Sequence, residues 1–130
     1  MATYAKIISS TSSLTGTIVA TSGVFTYTVP DGANIRSLYS VSVTGTRTSG
    51  GGLGISATLS VLDPLTSIVL YSQAISDNTA GNGVHSASTL TTGTPPTNIP
   101  EGSIIQLSMT KDVQWSTATG AVYFLMEENS

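Results

Sequence analysis

The stretch Leu53-Gly54-Ile55-Ser56-Ala57-Thr58-Leu59-Ser60-Val61 alternates without a fault. Leu53, Ile55, Ala57, Leu59 and Val61 fall on one side, and Gly54, Ser56, Thr58 and Ser60 on the other. A repeat of two is the signature of a strand with one buried face, whereas a helix would repeat every 3.6 residues. The same period recurs on both sides of this stretch. Upstream, Thr3 to Ile8 and Thr15 to Ala20 read as short strands. Val24 to Val29 sets Phe25, Tyr27 and Val29 against Thr26 and Thr28. Ile35 to Thr44 sets Tyr39, Val41 and Val43 against Ser40 and Ser42. Downstream, Ser67 to Ile75 carries a more continuous apolar run, as expected of a central strand. Ile104 to Met109 alternates again, and Ala121 to Met126 closes the chain after Val113 and Trp115.

Turn chemistry separates these runs: Ser22-Gly23, Pro30-Asp31-Gly32, Ser49 to Gly52, Asp63-Pro64, Asp77 to Gly83, Thr94 to Thr97, Pro100-Glu101-Gly102 and Thr119-Gly120. About eight strands joined this way predict an all-β antiparallel sandwich, with the jelly roll as the best match. At 130 residues the chain is the size of one domain, residues 1–130. Val29-Pro30-Asp31-Gly32 is echoed by Ile99-Pro100-Glu101-Gly102. Proline at the second position and glycine at the fourth fit a type I turn. The pair are two independent turns or two equivalent corners of a sandwich with repeated halves. The segment Asn78 to Asn98 is the least regular; it is either a long loop or a loop around a weak strand at Val84 to Leu90. The Ser49-Gly50-Gly51-Gly52 run is a second expected mobile point.

The composition is unusual for its lack of charge. Only 8% of residues are charged, against about 25% in an average domain. The net charge is −3, and the four basic residues Lys6, Arg36, Arg47 and Lys111 are scattered. Phosphate neutralisation by clustered Lys and Arg dominates nucleic-acid binding. Free nucleic acid is therefore not expected as a partner, nor is an anionic membrane surface. With 21 threonines and 20 serines, hydroxyl side chains stand where charges usually do on strand exteriors. Such surfaces meet other neutral surfaces with little desolvation cost, which suits a subunit of an assembly. Cysteine is absent, so no disulfide or thiolate metal site contributes. Met1 to Lys6 carries no basic start followed by an apolar run, and no run approaches the ~18 apolar residues of a membrane helix. Synthesis in the cytoplasm without export is the expectation.

A search for chemistry returns little. His85 is the single histidine, with Ser86 and Ser88 beside it and Asp77 upstream. Adjacent strand residues face opposite ways, so Ser86 is poorly placed for activation by His85. Asp31, Asp63, Asp77, Glu101, Asp112, Glu127 and Glu128 fall mostly in turns or the tail, where no acid–base pair is expected. Asp77 to Gly83 faintly resembles a calcium loop but holds a single carboxylate. Gly50-Gly51-Gly52-Leu53-Gly54 lacks the lysine and the following helix of a phosphate loop. No catalytic residue, metal site or cofactor is expected. Trp115, between Gln114 and Ser116, reads as partly exposed, either a sugar platform or a subunit anchor.

The Thr/Ser/Gly-rich strands and the corners Thr28-Val29-Pro30-Asp31-Gly32 and Asn98-Ile99-Pro100-Glu101-Gly102 form a familiar pattern. With the closing Trp115-Ser116-Thr117-Ala118-Thr119-Gly120-Ala121-Val122-Tyr123-Phe124-Leu125, the chain resembles the small structural proteins of tailed-bacteriophage virions. The resemblance covers most of the chain. It implies a non-enzymatic capsid decoration (cement) or fibre-type protein, commonly trimeric. Its partners would be copies of itself and the major capsid protein or another virion protein, and its location the virion. Trp115, Tyr4, His85 and Tyr123 are the candidate interface residues. A carbohydrate-binding module or adhesin tip, with a glycan as partner, is the alternative, and a minor hydrolase centred on His85 is the third reading.

Overall fold

The computed structural model describes residues 7–49 and 54–129. These form eight strands and no helix: β1 (Ile7–Ile18), β2 (Ser22–Thr28), β3 (Ala33–Arg47), β4 (Ile55–Leu62), β5 (Val69–Asp77), β6 (Gly83–Leu90), β7 (Ile104–Lys111) and β8 (Trp115–Asn129). The first sheet has the order β1-β8-β3-β6 and the second β2-β7-β4-β5, all neighbours antiparallel. This is jelly-roll order, in which successive segments cross repeatedly between two packed sheets. The β1–β2, β3–β4, β5–β6 and β7–β8 connections leave one end of the sandwich. The other three leave the opposite end.

Alternation places the core. On β4, Ile55, Ala57, Leu59 and Val61 are buried while Ser56, Thr58 and Ser60 face outward. On β7, Ile105, Leu107 and Met109 point inward beside them. The first sheet answers with Ile35, Val41, Val43, Val122 and Phe124. Its inner surface is thinned where the second sheet is bulky. A Cβ at Gly120 would lie 2.9 Å from the Met109 sulfur and 3.2 Å from Leu107 Cδ2, so glycine makes room for both.

The paired corners prove to be one structure. Val29 N donates to Ser103 O (2.9 Å), Gly102 N to Val29 O (2.8 Å) and Gly32 N to Glu101 Oε2 (2.7 Å). Ile35 and Ile99 exchange two backbone bonds of 2.9 and 2.7 Å. The two echoes thus pack against each other as equivalent corners. Their turns close one residue later than expected: Ala33 N donates to Pro30 O, and Ser103 N to Pro100 O. Glycine takes the third position, at φ 78° for Gly32 and 84° for Gly102, a conformation that favours glycine.

Several expectations are corrected. The two short N-terminal strands are one, because β1 pairs with β8 residue for residue from Ile7 to Ile18. Thr3 to Lys6 lie outside the described residues, as do Gly50 to Gly52 of the expected mobile point and Leu53, the first residue of the alternating stretch. Ser22-Gly23 opens β2, and Thr119-Gly120 runs through β8 rather than breaking it. Of the two readings of Asn78 to Asn98, the one with a strand at Val84 to Leu90 is found and needs no correction: it is the edge strand β6. β5 is an edge strand, not a central one. Its apolar run is exposed instead of covered on both faces. Tyr39 does not share a face with Val41 and Val43: a register shift between Leu38 and Ser40 inserts it as an extra residue and turns it outward.

Candidate docking surfaces

The four sequence-selected residues divide between two places. Trp115 and His85 meet at the end of the sandwich where β3, β6 and β8 converge. Trp115 is fully buried (0% exposed), which corrects its expected exposure. The His85 ring meets it edge-on at 5.7 Å, and the Arg47 guanidinium lies 5.5 Å from its ring centroid. Arg47 Nε donates to Ser49 O (3.1 Å) and Nη1 to Thr79 O (2.7 Å). Lys111 Nζ donates to Trp115 O (2.8 Å). Arg47 and Lys111 are themselves buried, so two of the four basic residues hold this end together. Polar neighbours at Gln114 and Ser116 point to a surface tryptophan; Arg47 and His85, distant in the chain, meet the ring and override that local signal. Tyr123 sits apart, on the outer face of the first sheet, and Tyr4 lies outside the described residues.

His85 faces inward and its Nε2 lies 2.8 Å from Gly81 O, while Ser86 points outward, as alternation requires. Asp77 Oδ1 accepts from Thr79 N (2.8 Å), forming an Asx turn. Hydrogen bonds from Thr79, together with the nearby His85, hold the Asp77 carboxyl below the usual carboxylate range, against a smaller opposing effect of burial. Among the described residues no group of three or more His, Cys, Asp or Glu converges as a metal site. At the opposite end, burial and then the charge of Glu128 push the Tyr27 phenol up. Its hydroxyl donates to the Met126 sulfur at 3.4 Å.

The most exposed apolar surface is the β4–β5 corner. Leu65 is 92% exposed, and Ile68, Val69 and Leu70 are each more than half exposed. The loop beneath them is locked. Asp63 Oδ2 accepts from Thr66 N (2.9 Å), Thr66 Oγ1 (2.8 Å) and Leu65 N (3.2 Å). The Thr66 bonds, side chain first, hold the Asp63 carboxyl below its ordinary value. Asp63 N donates to Ile68 O and Ser67 N to Asp63 O, closing the loop on itself, with Ser67 at φ 59°. Sequence reading assigned these apolar residues to a central strand; their run was visible, their exposure was not.

The outer faces and edges of the sandwich carry almost no charge. Asp77, at the last position of β5, is the single charged residue in the four edge strands β1, β2, β5 and β6. Asp31, Asp63, Glu101, Glu127 and Glu128 gather at one end with Arg36, whose Nη1 lies 3.0 Å from Glu127 Oε1.

Comparison of the sequence with protein-family models and with curated proteins finds no match. Among solved structures, the fold is similar to that of a chain of turnip yellow mosaic virus. It matches over 100% of this chain and 84% of that one, with 7% identity and a TM-score of 0.53. Weaker likenesses are to a chain of the infectious bursal disease virus Gx strain and to a chain of Bacillus endospore appendages, a family of disulfide-linked pili. The first has 11% identity over 98% of this chain and 32% of that one, with a TM-score of 0.48. The second has 10% identity over 98% of this chain and 91% of that one, with a TM-score of 0.43. The turnip virus chain carries the comparison: it shares the two-sheet β fold.

Proposed function

We propose that this chain is a non-enzymatic structural subunit of a virion, a decoration (cement) protein that attaches to the outer capsid surface as a homo-oligomer. The trimer is the state its resemblance implies. One observation carries the reading: a hydrogen-bonded loop and the first residues of the edge strand β5 present Leu65, Ile68, Val69 and Leu70 to solvent. Lone exposed apolar side chains are ordinary, but contiguous ones mark association surfaces. The Asp63 lock keeps the loop in one shape before contact, which lowers the ordering cost of binding. Edge strands normally defend themselves with charges, prolines or bulges. β1, β2 and β6 hold no charged residue or proline, so neighbouring subunits are the natural cover. The likeness to a viral chain supports a protein of this fold in a shell.

Sedimentation velocity on the full chain tests the reading, together with co-sedimentation on capsids stripped of their surface proteins. An oligomer at micromolar concentration that binds capsids is expected. The double substitution Leu65→Ser, Ile68→Ser should weaken self-association at least about tenfold while the chain stays folded. A wild-type chain that stays monomeric and ignores capsids would sink the proposal.

A further inference from the structure

Four tyrosines lie among the described residues, and they fall into two pairs. Tyr27 donates its hydroxyl to the Met126 sulfur and Tyr71 donates to Thr92 O (2.6 Å); both are half-buried. Tyr39 and Tyr123 are each 41% exposed, and neither hydroxyl has a hydrogen-bond partner among the described residues. This second pair shares one surface. Ser40 is the cross-strand partner of Tyr123, and Tyr39 is the inserted residue immediately before Ser40. The irregularity that removes Tyr39 from the core therefore sets it beside Tyr123 on the outer face of the first sheet. Bulges often serve to re-aim one side chain in this way.

The surroundings define what such a pair would take. Ser13 stands opposite Tyr123 on β1, Leu90, itself exposed, stands opposite Ser40 on β6, and Ser42, Ala121 and Thr15 form the next row. Each hydroxyl offers one donor and two acceptor positions. Among the described residues, Arg36 and Glu127 carry charge toward one end of this sheet and are paired with each other. The surface thus offers two part-exposed phenol rings and one exposed leucine among uncharged hydroxyls.

We propose that this face is a binding platform for a neutral glycan, with Tyr39 and Tyr123 stacking against sugar rings and Ser13, Ser40 and Ser42 bonding to sugar hydroxyls. A pyranose has an apolar C–H face for an aromatic ring and an equatorial rim of groups that both donate and accept, which is the complement of this surface. Among the described residues the cation bordering this face is Arg36, already paired with Glu127, so sugars bearing carboxylate or sulfate gain little here. A protein partner is spared the cost of burying charge here, but it must supply a hydrogen bond to each hydroxyl it covers, which a sugar rim does more readily, and serine is depleted from protein interfaces. The platform lies on a different face from the β4–β5 corner and stands independently of the docking role.

The test uses the full chain on a panel of neutral oligosaccharides built from hexoses and N-acetylhexosamines, with sialylated and sulfated counterparts beside them. Binding to neutral members alone is expected. Amide spectra of the wild-type chain titrated with the best ligand should shift at residues 39–42 and 121–125. Each of Tyr39→Ala and Tyr123→Ala should weaken binding about tenfold, and the double variant should abolish it, while Tyr→Phe retains most of the affinity. The proposal is overturned if no neutral glycan binds, if charged glycans bind as well or better, or if the shifts map elsewhere. It is equally overturned if the double variant binds glycan normally, or if its only defect is loss of self-association, which would assign the face to a protein.

Discussion

The β4–β5 corner and the outer face of the first sheet avoid charge in opposite ways. At the corner, leucine, isoleucine and valine side chains project from the first residues of β5 and from a loop that three hydrogen bonds to one carboxylate oxygen hold in place. On the face, serines and threonines stand on a sheet whose shape is fixed by its own ladder, with two tyrosines among them. The corner has few groups that water can satisfy, so association there releases water from apolar surface. The face has many, so a partner there must replace hydrogen bonds one for one. Absence of charge is thus not one property but two, and it selects different partners according to what replaces the charge.

The largest effect that sharpens this contrast comes from neighbouring residues on β8. Phe124 is fully buried, with its ring 5.5 Å from that of Tyr27, and Tyr123 stands on the other side of the same sheet. Phe124→Ala should cost about 3–5 kcal/mol in urea unfolding. Tyr123→Ala should cost about 1 kcal/mol or less, since it leaves no cavity in the core. Were the two costs equal, Tyr123 would be a structural residue and the face would lose its claim to be spare for binding.

That pair also shows how far the sequence could be read. Alternation from Ile55 to Val61 gave the inside and outside of β4 because a strand paired in regular register keeps its period. The eight strands and their two-layer packing follow from the same signal repeated. Tyr39 defeats it: the register shift against β8 belongs to the pairing of two strands far apart in the chain, and no local pattern announces it. Trp115 defeats it for a related reason, since Arg47 and His85, which meet its ring, come from strands far away in the chain. Of the candidate interface residues, Tyr123 is exposed where a partner could reach it. The β4–β5 corner was legible as an apolar run, but exposure is decided by which strand ends up at an edge.

A smaller effect separates the two surfaces by pH. The Asp63 carboxyl titrates below its unfolded value, so in acid the folded chain binds fewer protons than the unfolded one. The stabilisation it provides is complete above the unfolded value of about 3.9 and is lost as pH falls through the lower folded value. Protonation removes the charge that draws the amides of Leu65 and Thr66 inward. Spectra recorded from pH 6 to pH 2 should show those two amides moving, along with that of Thr79, which bonds to the similarly depressed Asp77. Amides at Ser42 and Ala121, whose neighbours on the face do not ionise in this range, should hold still. Corner amides that ignore acid would mean that the loop is shaped by its backbone bonds and not by the carboxylate.

The smallest expected effect lies at the border of the hydroxyl face, where Arg36 reaches Glu127. Arg36 is largely exposed, so the attraction is screened by water and offset by ordering of a long side chain. Arg36→Gln should change stability by about 1 kcal/mol or less, and raising salt to about 0.5 M should do no more, since the Debye length then falls well below its value of about 8 Å at physiological ionic strength. Neither proposed surface uses a charge across its contact, so self-association and glycan binding should both be nearly flat over that salt range. A steep loss of association with salt would place the contact elsewhere: on the acidic end, where Asp31, Glu101 and Glu128 are the groups a cationic partner would meet. The apolar corner would then be the rim of an electrostatic interface and not its centre.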